Sequence, residues 1–424
     1  MSFRIVIRAF TLRRDLAHSY ILSKILETMG HQTFITCTRN HHFVLKYWKP
    51  HATIINTIGK INVTRELCPE TKIILWPGEG ARPPFMSDAE WLLTRNPQGT
   101  AEKVDLYILW GEYTRRAFLE RFPKDIDSKI VITGHPKLDL VKYMPPVERD
   151  MKSIGFLMKF AGINFYNKKP TITPLIQNPQ NGERIIKMQI DQFLLMLEII
   201  EKIIAEGKFK VSIRPHPLEA PEGYFELVNK YPGKIQIDNS IDLSEWASKQ
   251  RMILTPISSS FIDLTQLKIP VISIDHALLK KHPIISEISS KCVVTSMNGA
   301  CYKPQDINEI MKMIHEELAP LNESAEMDHY NKDVYDWPFE KSAIKRAAEA
   351  VDKLLKNSPE IKNISSGIPK TALELYDWVE FYKAKYFSGD NHENFNYKNG
   401  YHHIPAHYKQ IFKNIMAENK ICNN

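Results

Sequence analysis

Apolar and polar positions along the chain change period again and again. Short β-branched runs, FRIVIRAF, TFITCT, ATIINTI, KIILWP, VDLYILW and KIVITG, recur through residues 1–145. Between most of them the spacing turns helical, as in LAHSYILSKILETMG, whose apolar residues fall on one face. Strands that alternate with helices predict a parallel sheet covered on both sides, a Rossmann-like unit. Two prolines and a charge cluster in KYMPPVERDMKS then mark a boundary. A second series follows over 151–328, with strands SIGFLMKF, KFKVSIRP, KIQID, RMILTP, PVISID and CVVTS and a long helix in RIIKMQIDQFLLMLEIIEKIIAEG. From 329 to 424 the pattern is helical throughout: WPFEKSAIKRAAEAVDKLLKN, KTALELYDWVEFYKAKYF and HYKQIFKNIMAENK. The two series share an architecture without sharing a repeated sequence. A polar insertion rich in Pro and Asn separates Ala161 from Glu183; it is either a loop at the mouth of a site or a disordered surface segment.

Composition narrows the classes. A chain of 424 residues exceeds what a single core supports, so two domains are expected. No run of about 18 apolar residues occurs, and the N-terminus opens on a strand pattern instead of a leader, which predicts a cytoplasmic protein. Five widely spaced cysteines with no CxxC pair argue against a disulfide framework and against a zinc site. The net charge of +7 is spread over dispersed lysines, so nucleic acid is not the expected partner; phosphorylated ligands or an anionic membrane surface suit it.

Chemistry in such sheets belongs to the loops after the strands, at their carboxyl ends. KVSIRPHPLE runs a strand into an Arg-Pro-His-Pro corner, in which Arg214 and His216 can donate to an anion and the prolines restrict flexing. The alternative is a strand-ending turn whose histidine satisfies a carbonyl. RMILTPISSSFIDLTQ places Ser258, Ser259 and Ser260 between a strand and a helix, as a plain N-cap or as an anion cradle. In DLSEWASK, Glu245 and Trp246 either line a nucleotide base or form a helix-surface acid beside a core ring. Glu79, between two glycines after a strand in ILWPGEGARPP, is a candidate base or a turn residue. Asp125-Ile126-Asp127 in PKDIDSK precedes its strand and reads as a solvated turn, not a metal motif. Arg8, Arg13 and Arg14 flank the first strand-to-helix loop and either meet an anionic acceptor or are simply solvated.

IRPHP followed by SSSFIDLTQLKIPVI resembles the donor half of GT-B glycosyltransferases of bacterial surface-polysaccharide biosynthesis, which carry HP and SS motifs. That group includes bacterial sialyltransferases, Kdo transferases and, more distantly, teichoic-acid polyol-phosphate transferases. LYILWGEYTRRAFLERF and KIVITGHPKLDLV are similar to a Trp-Gly element and a Gly-Asn-Pro-Arg-x-Asp element of these proteins. Here the second reads Gly134-His135-Pro136-Lys137-Leu138-Asp139, with His for Asn and Lys for Arg. GFLMKFAGINFYN is similar to the loop opening their second domain and brings in Lys159 and Asn164. The resemblance implies an α/β fold of GT-B type, two Rossmann-like domains facing a cleft with C-terminal helices. Residues 1–145 would be the acceptor domain, 151–328 the nucleotide-sugar donor domain and 329–424 a helical segment. It implies that His216 and Ser258, Ser259 and Ser260 engage the phosphate and ribose of a cytidine nucleotide, with Arg214 and Glu245 beside them. His135, Lys137, Lys159 and Asn164 would serve the acceptor or support the site.

Glycosyl transfer needs a stabilised leaving phosphate and a group that takes the acceptor hydroxyl's proton. Arg214, His216 and the serine loop would meet the first need without metal or cofactor; Glu79, Asp139 and His135 compete for the second, a carboxylate also being able to act as nucleophile. The implied function is metal-independent transfer of Kdo or a sialic-acid-like sugar from a CMP-activated donor to a capsule, O-antigen or lipooligosaccharide glycan. Three alternatives stay open: a UDP-sugar, GDP-sugar or CDP-polyol donor, a nucleotide-sugar epimerase, and a non-catalytic glycan-binding protein. The expected partners are the nucleotide-sugar donor and a glycan or lipid-linked glycan acceptor. FYKAKYF and HYKQIFKNIM would either rest on the inner-membrane surface as a peripheral contact or pack back across both domains, the second being expected.

Overall fold

The computed structural model describes residues 2–9, 12–56, 61–77, 100–120, 122, 124–164, 180–217, 219–238, 240–258, 260–291, 301–321, 325–338, 340–364, 367–387 and 404–421. The chain separates into two compact units, Met1–Pro145 with His329–Asn424, and Pro146–Asp328. Glu79, Ser259, the strand pattern CVVTS and most of the 161–183 insertion lie outside the described residues.

In the first unit the β-branched runs form strands β1 (Arg4–Arg8), β2 (Gln32–Thr36), β3 (Ala52–Ile55), β4 (Lys72–Leu75), β5 (Leu106–Leu109) and β6 (Ile130–Ile132). They make one sheet in the order β2-β1-β3-β4-β5-β6, every pair parallel. Ile5, Val6 and Ile7 of β1 are all buried, which is why the strand reads as a continuous apolar run and not as an alternation. The intervening helices are α1 (Leu12–Thr28), α2 (Thr38–Trp48), α3 (Ile61–Leu67), α4 (Glu112–Leu119) and α5 (Pro136–Lys142).

The second unit has strands β7 (Asp150–Leu157), β8 (Lys210–Arg214), β9 (Ile235–Ile237), β10 (Gln250–Thr255) and β11 (Val271–Ser273), again all parallel, in the order β11-β10-β7-β8-β9. Helix α6 (Gly182–Glu206) lays Met196, Ile199, Ile200 and Ile203 into the core with Ile154, Phe156 and Ile213, and stops where Gly207 takes a left-handed φ of 70°. Shorter helices α7 (Phe225–Lys230), α8 (Leu243–Ser248), α9 (Phe261–Gln266), α10 (Ile284–Lys291) and α11 (Ile307–His315) complete the unit.

Helix α12 (Ala325–Tyr335) leads into α13 (Ala343–Lys356), α14 (Lys370–Phe387) and α15 (Ala406–Ile421). The sequence pattern sets residues 329–424 apart as a segment; packing assigns them to the first unit. Ala343, Ile344, Ala347, Ala348, Val351 and Leu355 of α13 are buried, and the small residues let it lie close against α1 and α5. Tyr408, Ile411 and Ile415 of α15 are buried too, where α15 packs on α1. Among the described residues no helix is long and apolar enough to cross a membrane.

Each sheet reverses its winding once, between β1 and β3 in the first unit and between β7 and β10 in the second. Crevices at the carboxyl ends of such strand pairs are where open α/β sheets bind ligands.

Candidate functional site

At the second unit's reversal, Lys159 follows β7 and Ile257-Ser258 follow β10. The exposed Lys159 side chain crosses between them, its Nζ donating to the Ile257 carbonyl at 2.7 Å. Ser258 is buried and its Oγ accepts from the Ser260 N–H at 3.2 Å, which leaves the hydroxyl hydrogen to donate elsewhere. Ser260 is the N-cap of α9 and makes no side-chain cap bond. With only 6 residues, α9 adds little dipole, so the ammonium of Lys159 is the main positive group of this corner. Directly beneath it, Asp275 at the end of β11 accepts from the Ile257 N–H and from Gln192 Nε2, each at 2.5 Å. Burial pushes the Asp275 carboxyl up to about 6.

One strand away, the Arg-Pro-His-Pro corner is built differently from its sequence reading. Arg214 is buried and committed to the protein: Nη1 pairs with Asp238 and donates to Ser240 Oγ at 2.8 Å, while Nη2 donates to the Ile241 carbonyl at 3.2 Å. Its guanidinium also lies 5.8 Å over the Trp246 ring. His216 is half-buried at the corner itself, and its carbonyl accepts from the Glu219 N–H at 2.8 Å. Buried Glu219 then ties this corner to the loop after β7, accepting from the Phe160 N–H and from the Tyr224 hydroxyl. Asn164 completes the latch: its side-chain amide donates to the Ala220 carbonyl at 3.0 Å and its own carbonyl accepts from the Ala220 N–H at 3.0 Å. The corner of His216 and the loop of Lys159 are thus one connected piece. Glu245 sits on α8 paired with Lys249 at 3.1 Å, and Trp246 is a core residue whose Nε1 donates to Ser212 Oγ at 2.8 Å.

Asp139, in α5 of the first unit, is buried and accepts from Ser342 Oγ at 2.7 Å, the Ala343 N–H at 3.1 Å and the Ile344 N–H at 2.7 Å. It caps α13, and burial pushes its carboxyl up to about 6. His135 is the N-cap of α5, reached through Gly134 at φ 87°; its Nδ1 accepts from the Lys137 N–H at 3.1 Å, which assigns the ring proton to Nε2. Its ring lies against Trp110 with centroids 4.4 Å apart and meets Tyr335 edge-on. At the β1/β3 reversal, Arg8 donates to Asn56 at 3.2 Å, Asn56 to Asp15 at 3.3 Å, and Arg14 to Asp15 at 2.9 Å. Arg13 is half-buried on the same helix. His18, one turn beyond Asp15, is buried edge-on to Trp76; among the described residues its Nδ1 and the Trp76 Nε1 have no hydrogen-bond partner. Burial brings His18 down to about 4 and His135 well below the usual range, so both imidazoles are held neutral at pH 7 and their protonated forms are disfavoured. Asp127 of the DxD stretch forms a two-bond pair with Arg115 in the turn before β6. Among the described residues no group of three or more His, Cys, Asp or Glu side chains converges as a metal site.

No family model matches the chain, and no curated protein does. Solved structures are similar. The S. aureus MnaA–UDP co-structure aligns at a TM-score of 0.50 and 12% identity, covering 87% of this chain and 100% of that one. A variant of the wall teichoic acid polymerase TagF aligns at a TM-score of 0.50 and 11% identity, covering 85% and 89%. A UDP-GlcNAc 2-epimerase from Methanocaldococcus jannaschii, in complex with UDP-GlcNAc and UDP, aligns at 0.48 and 12%, covering 83% and 100%. The chain has the GT-B fold. At these identities the likeness is one of fold.

Three buried polar residues near these loops and helix α1 escape a reading of sequence motifs. Asp275 lies two residues past β11 in PVISID, and an acid just beyond a strand is a signal that finds it. Glu219 sits three residues past His216 in PHPLE, where a buried acid has no sequence mark of its own. His18 falls on the apolar face of α1 and reads as helix interior.

Proposed function

We propose that the chain is a nucleotide-sugar enzyme that binds the donor's phosphate at the carboxyl edge of the second unit's sheet, and that its reaction is glycosyl transfer. The observation that carries this reading is the Lys159 ammonium held across the β7/β10 reversal, next to the Ser258 hydroxyl. A cation and a hydroxyl donor fixed on the ends of two adjacent strands stabilise the charge that grows on a departing phosphate. His216, on the corner that Glu219 latches to the same loop, supplies a further donor. For the proton of the acceptor hydroxyl the candidate kept is Glu79; Asp139 is occupied as a helix cap and His135 Nδ1 by the Lys137 N–H. The donor we propose is CMP-activated Kdo or a sialic-acid-like sugar and the acceptor a surface glycan, from the motif resemblance at His216 and Ser258 to Ser260. The second reading is nucleotide-sugar epimerisation with a uridine donor, favoured by the UDP held in the MnaA structure.

Thermal melting with CMP, CDP, UDP and GDP in turn tests the assignment. A cognate nucleotide at a hundredfold its Kd adds about 2.7 kcal/mol to stability. CMP is expected to raise the melting temperature most, and Lys159→Ala to remove the rise. A rise with UDP alone, together with sugar conversion in the absence of acceptor, supports epimerisation instead. No rise with any nucleotide overturns the site.

A further inference from the structure

Helix α14 is amphipathic in the opposite sense to an ordinary surface helix. Its inward side carries two acids: Asp377 accepts from Asn40 Nδ2 at 2.8 Å and Glu380 from Arg39 Nη2 at 2.9 Å, both donors being on α2. Only Leu373 and Phe381 add fully buried apolar surface there. Its outward side carries Leu375, Trp378, Val379, Tyr382 and Tyr386, which are 68%, 42%, 42%, 51% and 63% exposed. Spacings of three and four residues make these one stripe along the helix. The rings run in series, Trp378 to Tyr382 at 6.0 Å and Tyr382 to Tyr386 at 6.2 Å and nearly parallel. The surface continues onto α2, where exposed Tyr47 contacts Phe43 and Phe43 stacks on Tyr376 at 3.8 Å.

Contiguous exposed apolar surface of this kind marks an interaction site. Asp377 and Glu380 are bonded to α2, and Glu380 also pairs with Lys383 at 2.8 Å, so the exposed cation beside the rings is Lys46, 5.2 Å over the Tyr47 ring. The exposed acid on this face, Glu374, is matched by Lys370 at 3.9 Å. Tyrosine and tryptophan in series, aliphatic residues between them and lysine at the margin are the composition of an element that lies in a lipid headgroup layer.

We propose that the outward face of α14, extended by Tyr47 and Lys46, docks on an anionic lipid bilayer. The rings of Trp378, Tyr382 and Tyr386 sit at headgroup depth, Leu375 and Val379 enter the acyl boundary, and Lys46 meets lipid phosphate. The assignment is independent of the proposed reaction and stands or falls separately from it.

Co-sedimentation of the full chain with phosphatidylcholine vesicles, with and without phosphatidylglycerol, tests it. Binding is expected with phosphatidylglycerol and to weaken as salt rises. Trp378→Ala combined with Tyr382→Ala is expected to lower partitioning about tenfold or more. Val379→Glu, which places a carboxylate on the face without removing a ring, is expected to do the same. No sedimentation of the unaltered chain, or equal sedimentation of all variants, overturns the proposal. A lipid-free dimer in analytical ultracentrifugation that these variants dissociate also overturns it and assigns the face to a second copy.

Discussion

Asp275 combines full burial with two strong hydrogen-bond donors, and burial dominates: its carboxyl rises from the ordinary 3.8 to about 6. A carboxyl whose folded value is raised stabilises the fold fully below its unfolded value and loses that contribution as pH climbs through the folded one. Between pH about 4 and about 6 the loss is roughly 1.4 kcal/mol per unit, about 3 kcal/mol in all. Asp275→Asn is the matched control, because Gln192 can turn its amide to face the new side chain while the Ile257 N–H keeps an oxygen acceptor. Urea unfolding of both proteins at pH 4, 5, 6 and 7 is expected to show the unaltered chain losing stability relative to the variant across this window; parallel profiles would show that Asp275 does not titrate there. The same scale shows why motif residues mislead. Arg214 looks like an anion donor in sequence, but its partners Asp238, Ser240 and Ile241 lie on another loop. Asp139 looks catalytic, but the donors that claim it belong to residues 342–344. A sequence displays the donors and acceptors a chain owns, whereas the fold decides which of them satisfy each other first. Of the motif residues, Lys159, Ser258 and His216 lie on loops that follow neighbouring strands.

Elements were easier to read than residues where burial is two-sided. Parallel strands covered on both faces need apolar residues at every position, so FRIVIRAF and VDLYILW announce β1 and β5 without help from context. Helix α14 shows the limit. Its span is plain in KTALELYDWVEFYKAKYF, yet its orientation is not, because periodicity alone assigns the Leu375, Trp378, Val379 and Tyr382 stripe to a core. Arg39 and Asn40 of α2 reverse that assignment by capturing Glu380 and Asp377. α14 packs on α2 by Leu373 and Phe381 with its aromatic stripe outward, while α15 packs by Tyr408, Ile411 and Ile415. The seat of α14 on α2 depends on a close backbone approach. A Cβ at Gly367 would meet the Tyr47 carbonyl and lie 2.6 Å from the Trp48 carbonyl carbon, where the Ile368 N–H donates to Tyr47 O at 2.9 Å. Backbone cannot swing aside as a flexible side chain does. Gly367→Ala is expected to cost about 2 kcal/mol, read as a lowered melting temperature, and to raise amide hydrogen exchange selectively in α14; a variant with unchanged exchange there would place the seat elsewhere.

At the scale of the whole molecule the chain crosses from one unit to the other and back, so that the first unit is assembled from both ends of the sequence. The pattern of residues shows two αβ series and a helical tail, but it carries no mark of which series the tail completes. Packing supplies the answer through particular contacts: α13 covers α1 with Ala347, Ala348 and Val351, Asp139 caps α13, and Lys142 pairs with Glu418 of α15 at 2.7 Å. His31 also meets Asp352 at 3.1 Å. Each of these closes part of the first unit's core or buries one of its polar groups, and none belongs to residues 146–328. A chain ending at Asp328 would therefore expose the α1 face, including Leu22 and Ile25, and leave the Asp139 carboxylate buried without its donors. Loss of apolar cover from a large helix and of a charged cap each cost several kcal/mol, together comparable with the whole stability of a domain, about 5–15 kcal/mol. The expected result of that truncation is selective: in amide hydrogen exchange, β1 to β6 lose protection while β7 to β11 keep theirs, because the second unit retains its strands, α6 and its own core. Uniform protection in both sheets would show that residues 329–424 are dispensable to the first unit, and uniform loss would show that the second unit does not stand by itself.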